Sequence, residues 1–472
     1  MKHHPRSTAR ALAAGALAIS TICAALACPA SVFVPPSDPH VQYMGHWDIQ
    51  PSAATTNNSG SSILFGFTGQ HLSAQLAPTA LTPQHRGEIY VSIDDAAPTR
   101  YIRDESTQID LTPTPLSPGQ HTVEIVVKDV DEHNNRWNPP LASSIVFQGF
   151  LLDDGAVPVQ GVSKWLHWSP GALKMEFYGD SITQGVRALS ITAEPSGNDA
   201  TRGYAHLVGL AFDARFNQIG YGSQGITRSG GGNVPPAGSS FGFNFGGSPA
   251  DPAFIPDIVV VNQGTNDGAA PSATFVPLYT TFMQEIRARY PNAWIFAMRP
   301  FNGAHAADIS GVVSALNDPR LVYVDTTGWL LSNSIDYTET GAGLHPNETG
   351  HAKAARLLIP IIARTALNES PPQVGASAVP NVLNLRAGLG GLVTVVLAIP
   401  DGYTMVDVRG DGARALSGAL SSDGHSYVAT FLKSDLTNVP PGNPVDFNIT
   451  GTLRQGGAAV PFATGVPVRI LK

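Results

Sequence analysis

Cysteine is nearly absent from this sequence. Of the 472 residues only two are cysteines, Cys23 and Cys28. Both lie in or at the edge of an N-terminal segment that has the features of a leader peptide, so a processed chain keeps at most one and cannot form an internal disulfide. The length instead suits two or three domains, each able to bury its own core.

An excess of positive charge and long apolar runs are also lacking. The formal net charge of -8 gives no basic footprint for nucleic acid. The apolar run Ala11 to Ala27 is too short for a membrane span, and no second run follows it. Because basic residues precede this run and it ends in Ala25-Leu26-Ala27, it predicts a secretory signal peptide over residues 1–27. We therefore expect a secreted, extracellular protein; Cys28, directly after the cleavage signal, leaves a lipid-anchored surface or periplasmic protein as the alternative.

Glycine and proline are plentiful, with 48 and 38 residues, which is typical of many turns and β-rich regions. Residues 32–160 contain one β-branched and aromatic run after another, for example Ser62 to Phe67 and His121 to Asp129, separated by turns. No helical period appears among them. This region predicts an antiparallel β-sandwich of the jelly-roll type.

The next region alternates between strand-like and helical patterns. Over residues 165–368, apolar runs such as Ala293 to Met298 are interleaved with helical stretches such as Gly350 to Thr365, which predicts a parallel, doubly wound α/β sheet. Residues 229–254 have no period and would form a long loop able to wall a cleft. After a linker at 369–380, residues 381–472 again read as strands and predict a C-terminal β-sandwich that packs or binds.

The stretch KMEFYGDSITQG, Lys174 to Gly185, places a serine where open α/β sheets keep their ligands. Its first half is a short apolar run typical of a buried parallel strand. Gly179 ends that run, and Asp180 and Ser181 stand where a helix would begin. Ser181 is thus predicted at the carboxyl end of a strand, near the positive end of a helix dipole. A simple helix cap is the alternative, and the residues downstream decide between the two.

Three further motifs supply polar groups. The clearest buried strand, Asp257 to Gln263, leads into GTND, so Asn266 would lie beside Ser181 if the two strands share a sheet, and its amide can donate to an oxyanion. GYGSQG, Gly220 to Gly225, is a flexible turn whose N–H groups can provide a second donor. His345 lies in a GLHPN loop that the following proline holds extended.

GDSIT, YGSQG, GTND and HPNETGH resemble, in this order, the four sequence blocks of the SGNH or GDSL-type hydrolases. The β region before them, with YMGHWD, SSILFGFTG and FQGFLLDDG, is similar to the N-terminal jelly roll of family 2 carbohydrate esterases. The resemblance covers roughly residues 42–367. It implies an α/β fold, an SGNH, flavodoxin-like parallel-sheet domain preceded by a jelly roll; the C-terminal β-sandwich, which the strand pattern predicts, lies outside the resemblance. The resemblance also implies that Ser181 is the nucleophile and His345 the base, and that the N–H groups of Ser181 and Gly222 and the side chain of Asn266 form the oxyanion hole. No cofactor is expected.

One position departs from the family pattern. The family commonly has an aspartate three residues before the histidine, where this chain has Ala342. A backbone carbonyl can hold His345 in a serine–histidine dyad, Asp336 or Glu339 can reach round as the orienting acid, or the enzyme is impaired, since a misoriented histidine costs about four orders of magnitude in rate. The dyad is the preferred interpretation.

Rival interpretations of the same motifs are weaker. Gly220-x-Gly222-x-x-Gly225 formally fits a dinucleotide fingerprint, but a Gly/Pro-rich loop follows it instead of a helix. Ser223 lacks the first glycine of a G-x-S-x-G elbow, where this chain has Tyr221. His345 and His351 have no third ligand at metal spacing, so we expect no catalytic metal.

The sequence therefore predicts a secreted carboxylic ester hydrolase. It would remove acetyl groups from a plant-type polysaccharide or oligosaccharide, as an acetylxylan esterase does, through an acyl-serine intermediate. The substrate is inferred from the domain arrangement of the resembling family and not from any residue. The alternatives are a lipid or aryl short-chain ester hydrolase and a catalytically impaired carbohydrate-binding protein. Neither a nucleic-acid partner nor a membrane span is expected.

Overall fold

The computed structural model describes residues 1, 31–331, 335–339, 341, 343–385, 391–436, 439 and 441–471. The predicted signal peptide, with Cys23 and Cys28, lies outside the described residues apart from Met1, and so does Ala342. No helix in the described ranges is long and apolar enough to cross a membrane.

Twelve strands form a β-sandwich at the N-terminal end of the described chain. They are β1 (Val32–Val34), β2 (Val41–Met44), β3 (Asp48–Gln50), β4 (Ala53–Thr56), β5 (Ser62–Thr68), β6 (Leu72–Leu76), β7 (Glu88–Ile93), β8 (Thr99–Ile102), β9 (Gln108–Asp110), β10 (Gln120–Asp129), β11 (Ile145–Leu152) and β12 (Pro158–Val159). One sheet has the order β3-β4-β11-β6-β9 and the other β12-β5-β10-β7-β8. Aromatic side chains fill the space between the sheets, as where the rings of Phe65 and Phe150 stack 4.5 Å apart.

A parallel sheet with helices on both sides follows. Its elements, with a small hairpin made of β15 and β16, are β13 (Lys174–Asp180), α1 (Ser181–Gln184), α2 (Tyr204–Ala211), β14 (Arg215–Tyr221), α3 (Ala237–Ser240), β15 (Phe243–Phe245), β16 (Ser248–Pro249), β17 (Ile258–Asn262), α4 (Ser272–Arg289), β18 (Trp294–Met298), α5 (Ala306–Leu316), β19 (Leu321–Val324) and α6 (Glu348–Ala366). The sheet order is β14-β13-β17-β18-β19, and every pairing is parallel. The strand order reverses direction beside β13, which is where doubly wound sheets form their ligand crevice.

The fold class predicted from the sequence is confirmed, but two of these elements carry no clear pattern. β14 contains Asn217 and Gln218, which are buried and hydrogen-bonded: Asn217 accepts from the N–H of Gly45 at 3.1 Å, and Gln218 donates to the carbonyl of Thr183 at 2.7 Å. Polar residues in a buried strand hide the apolar run that sequence analysis looks for. The helix α5 was likewise not predicted.

The C-terminal strands build a second sandwich. They are β20 (Ala376–Val379), β21 (Val382–Asn384), β22 (Leu392–Ala398), β23 (Thr404–Gly410), β24 (Ala413–Arg414), β25 (Ser417–Leu420), β26 (Ser426–Leu432), β27 (Gly442–Gln455) and β28 (Ala458–Leu471). Their two sheets have the orders β20-β22-β26-β25 and β21-β28-β27-β23-β24. This sandwich contacts the helices of the parallel-sheet domain: Arg356 on α6 pairs with Asp446 at 3.1 Å, and the hydroxyl of Thr452 donates to the carbonyl of Leu210 on α2 at 2.9 Å.

Candidate active site

Ser181 lies at the carboxyl end of the interior strand β13 and begins the one-turn helix α1. The side chain of Asp180 accepts the N–H of Ile182 at 2.9 Å, which caps this turn. Gly179 is required here, because a Cβ at that position would come within 2.0 Å of the Thr183 hydroxyl. Close packing of this turn therefore fixes the position of Ser181, whose side chain is almost fully buried.

His345 reaches this serine from the loop before α6. Its Nε2 lies 3.0 Å from Oγ of Ser181. The HPN sequence explains how the loop is held: Tyr337 and Pro346 form a bridge across it, and the side chain of Asn347 caps α6 by accepting the N–H of Gly350 at 2.9 Å. A serine and a histidine that are distant in the sequence thus meet at hydrogen-bond distance.

Glu339 holds the other side of the histidine ring. Its Oε1 is 2.5 Å from Nδ1 of His345, and its Oε2 accepts the backbone N–H of the same residue at 2.9 Å. Arg187 donates from Nη1 to Oε1 at 2.9 Å. Burial alone would raise the pKa of Glu339, but the hydrogen bonds from His345 and the guanidinium of Arg187 hold that pKa well below its ordinary value. Glu339 is therefore an ionised acceptor at neutral pH.

The preferred dyad interpretation is wrong for this structure, because a carboxylate and not a backbone carbonyl contacts Nδ1 of His345. Of the two acids considered, Asp336 faces elsewhere: its Oδ2 pairs with Nζ of Lys353 at 3.0 Å and accepts the N–H of Leu331 at 3.3 Å. The position of Ala342, on which the dyad argument depended, lies outside the described residues.

Asn266 and Gly222 were predicted as oxyanion donors, and both donate to an internal acceptor, but Asn266 has a second N–H whereas Gly222 has only one. The amide Nδ2 of Asn266 donates to the carbonyl of Gln224 at 2.8 Å and lies 3.5 Å from Oδ2 of Asp180, beside Ser181. The N–H of Gly222, however, donates to Oε1 of Gln184 at 3.1 Å. In this structure Gly222 is therefore not a free donor, because a side chain of α1 already accepts its N–H.

The next residue of the same turn differs from Gly222. Ser223 is exposed and has a φ of 62°. The turn is closed by the N–H of Gln224, which donates to the carbonyl of Tyr221 at 3.1 Å. Among the described residues we find no partner for the N–H of Ser223.

Comparisons with known proteins agree with this geometry. Residues 177–353 match the GDSL-like Lipase/Acylhydrolase family, and residues 43–160 match the Carbohydrate esterase 2 N-terminal domain. The chain therefore carries a GDSL-like acylhydrolase domain behind a carbohydrate esterase 2 N-terminal domain. It is a carboxylic ester hydrolase, and the recognition made from its motifs is confirmed.

Relatives of this esterase include an acetylxylan esterase / glucomannan deacetylase of Cellvibrio japonicus, 27% identical over 345 residues, which are 69% of this chain and 88% of the relative. The cellulase/esterase CelE of Acetivibrio thermocellus is 27% identical over 284 residues, which cover 55% of this chain and 31% of that protein. A similar fold is found in the family two carbohydrate esterase from Cellvibrio japonicus, with a TM-score of 0.59 and 22% identity over 71% of this chain and 98% of that one. Another is the family two carbohydrate esterase from Clostridium thermocellum in complex with cellohexaose, with a TM-score of 0.56 and 21% identity over 69% of this chain and 98% of that one.

Sequence analysis of the esterase missed a segment of the N-terminal sandwich that enters this site. Arg136 is fully buried, donates from Nη1 to Oε1 of Gln184 at 3.0 Å and lies over the ring of Tyr221 at 5.0 Å. Glu132 reaches the predicted oxyanion turn, since a Cβ on Gly222 would come within 1.3 Å of its Oε2. The sequence DEHNNRW around them reads as an ordinary polar loop after β10, so no pattern could reveal its destination.

Two acids near Ser181 have distinct environments. Burial raises the pKa of Asp180 to about 6, against the hydrogen bond from the N–H of Ile182. Asp267 accepts the N–H groups of Ile226 and Thr227 at 2.9 and 2.8 Å and so ties the GTND loop to the loop that follows the oxyanion turn. Both acids brace loops, and neither contacts the imidazole of His345.

Proposed function

We propose that this carbohydrate esterase removes acetyl groups from an acetylated plant-type polysaccharide or its oligosaccharides through an acyl-serine intermediate. The observation that carries the proposal is the line of three groups in which Nε2 of His345 lies 3.0 Å from Ser181 and Nδ1 lies 2.5 Å from Glu339. A serine hydroxyl becomes a strong nucleophile only when an oriented base removes its proton.

The proposed first step forms the acyl enzyme. Oγ of Ser181 attacks the ester carbonyl while Nε2 of His345 accepts its proton, and Glu339 stabilises the resulting imidazolium. The tetrahedral oxyanion would receive hydrogen bonds from Nδ2 of Asn266 and from the N–H of Ser181, which begins a helix and so has no intrahelical acceptor. The sugar hydroxyl then leaves with the proton from His345. A water molecule then attacks the acyl carbonyl while Nε2 of His345 accepts its proton. Acetate is released when Oγ of Ser181 leaves and takes that proton back from His345.

A third donor would come from the turn after β14. Gly222 can serve only if its N–H leaves Gln184, whereas the N–H of Ser223 stands next to it without a partner among the described residues. We therefore propose that the N–H of either Gly222 or Ser223 donates the third hydrogen bond to the oxyanion, depending on how the substrate lies against this turn.

An acetylated polysaccharide is supported as the substrate by two considerations. The relative from Cellvibrio japonicus is named for deacetylation of xylan and glucomannan. In addition, the sandwich segment with Glu132 and Arg136 packs against the predicted oxyanion turn and α1, so the domain that matches the Carbohydrate esterase 2 N-terminal model forms part of the site. The predicted leader peptide makes the enzyme an exported one in this proposal, as a polymeric substrate requires.

The test is release of acetate from acetylated xylan, acetylated glucomannan and para-nitrophenyl acetate. We expect Ser181→Ala and His345→Ala each to lower kcat on the order of a thousandfold or more on every substrate. Ser314→Ala is the matched control, since it removes an exposed serine hydroxyl on α5 of the same domain; it should keep the turnover. If both alanine variants keep their turnover, the assignment of nucleophile and base is wrong.

Acyl length separates the competing functions. A parent enzyme that prefers long acyl chains would be a lipid or aryl ester hydrolase. A parent that releases no acetate from any of the three substrates but binds xylan would be a carbohydrate-binding protein, and the proposal would fail.

A further inference from the structure

Three metal-ligating side chains of the N-terminal sandwich converge on one point. Oδ1 of Asp131 lies 2.9 Å from Nδ1 of His85 and 3.0 Å from Nδ1 of His133. His85 ends the short helical turn Pro83–His85, and Asp131 and His133 follow β10. Segments that are about 45 residues apart in the sequence therefore present their ligand atoms to the same small volume.

The carboxylate is held rigidly from its other side. Oδ2 of Asp131 accepts the N–H groups of His133 and Asn134 at 3.0 and 2.8 Å and Nδ2 of Asn134 at 2.7 Å. The carbonyl of Asp131 also accepts the hydroxyl of Ser143 at 2.7 Å. Only Oδ1 is directed at the two imidazoles.

Two imidazole nitrogens and one carboxylate oxygen form a donor set that suits zinc and similar divalent transition metals. With metal–ligand bonds of about 2.0–2.2 Å, neighbouring ligand atoms of a tetrahedral site are about 3.3 Å apart. The distances of 2.9 and 3.0 Å need to open by only a few tenths of an ångström. The side chains of His85 and His133 are 26% and 50% exposed, which leaves a face open for water as the fourth ligand.

We propose that His85, Asp131 and His133 bind one divalent transition-metal ion, such as Zn²⁺, that braces the sandwich wall of the active site. Asp131 directly precedes Glu132, whose Oε2 lies against Gly222. The same segment contains Arg136, which donates a hydrogen bond to Gln184. A metal at the base of this segment would reduce the number of conformations open to that wall. None of the three ligands belongs to the set that contains Ser181, so the ion is structural.

Calcium and magnesium ions are not expected to bind to this cluster. Both ions require several oxygen ligands, and the cluster offers one carboxylate oxygen beside two nitrogens. This difference in ligand preference supplies a control within one experiment.

The test is calorimetric titration of the full chain, freed of metal with a chelator, with ZnCl₂ and in parallel with CaCl₂, together with thermal melting. We expect one zinc per chain with micromolar or tighter affinity, a higher melting temperature with zinc, and no response to calcium. His85→Gln and His133→Gln should each weaken zinc binding at least about tenfold, because each removes one of three ligands. His71→Gln, which changes an exposed histidine of the same sandwich, is the matched control and should bind as the parent does.

Two outcomes would overturn the proposal. The first is a parent chain that does not bind zinc at micromolar concentrations, in which case the cluster is only hydrogen-bonded. The second is zinc binding that both glutamine variants retain, which would assign the ion to another site, such as the His3-His4 pair in the sequence. Because His133 is half exposed, His133→Gln is expected to fold, and its metal-free melting temperature checks this.

Discussion

Replacing Glu339 by glutamine is the sharpest test of how His345 is held. In the parent, Oε1 accepts Nδ1 of His345 and Nη1 of Arg187, and Oε2 accepts the N–H groups of Leu344 and His345 at 3.3 and 2.9 Å. All four groups are donors, and the two carboxylate oxygens accept all of them. A glutamine side chain has one acceptor oxygen and one NH₂ group, so in either orientation two of these donors would face another donor.

Both orientations of the amide harm catalysis. If the NH₂ group faces Nδ1, the ring must carry its proton on Nε2 and can no longer accept one from Ser181. If the amide oxygen faces Nδ1, the negative charge that stabilises the imidazolium is lost and the loop N–H groups meet the NH₂. The same acid-to-amide change in a Ser-His-Asp triad lowers kcat by about four orders of magnitude. Because the Glu339 side chain is 17% exposed and water can replace part of the interaction, we expect a loss of roughly 10³ to 10⁴, or about 4 to 5.5 kcal/mol of transition-state stabilisation.

The assay is the steady-state hydrolysis of para-nitrophenyl acetate across the pH range, with melting curves to show that each variant is folded. Asp336→Asn is the matched control, since Asp336 pairs with Lys353 and not with the imidazole; its kcat should stay within a few-fold of the parent. If Glu339→Gln keeps a third or more of the parent kcat, the carboxylate does not orient the base and the dyad interpretation returns. Loss of activity in Asp336→Asn alone would instead identify the other acid.

Three further changes test separate parts of the structure. Asn266→Ala should lower kcat on para-nitrophenyl acetate by about 10²- to 10³-fold with little change in KM, since it removes an oxyanion donor; an unchanged kcat would remove Asn266 from the oxyanion hole. Glu132→Ala should lower kcat about tenfold on acetylated xylan and on para-nitrophenyl acetate alike, because the Glu132 side chain packs against Gly222 in the predicted oxyanion turn and its loss leaves that turn less well positioned; an unchanged kcat would contradict this role. Asp411→Asn should raise the melting temperature at neutral pH. Burial raises the pKa of Asp411 from 3.8 to about 7, so ionisation of this carboxyl lowers the free energy of unfolding as the pH rises from about 4 to 7. A gain in melting temperature that is larger at pH 4 than at pH 8 would contradict this.

Much of the catalytic core could be predicted from the sequence because its determinants are local. The apolar run of β13 broken by Gly179 places Ser181 at a strand end, and the buried strand β17 places Asn266 at the next one. The HPN motif acts locally as well, since Asn347 caps α6 directly after His345. Periodicity, caps and turn residues depend on neighbours within a few positions, and a single sequence displays these directly.

The tertiary structure alone decided which groups complete the site. Asp336 and Glu339 are three residues apart in one loop, and only the path of that loop gives Glu339 to His345 and Asp336 to Lys353. The N–H of Gly222 is taken by Gln184 for a similar reason, because the two meet through the pairing of neighbouring elements. Sequence spacing cannot rank acceptors that are equally near along the chain.

The largest omission of the sequence analysis was a contact between domains. Glu132 lies 49 positions before Ser181 in the chain, in a polar run that by itself predicts an exposed loop. The sequence by itself determined the fold class, the strand ends and the residues proposed as nucleophile and base, because short-range patterns encode them. Only the tertiary structure decided that Glu339 contacts the imidazole of His345 and that the N-terminal sandwich reaches the site, because long-range packing brings those groups together and leaves no local trace.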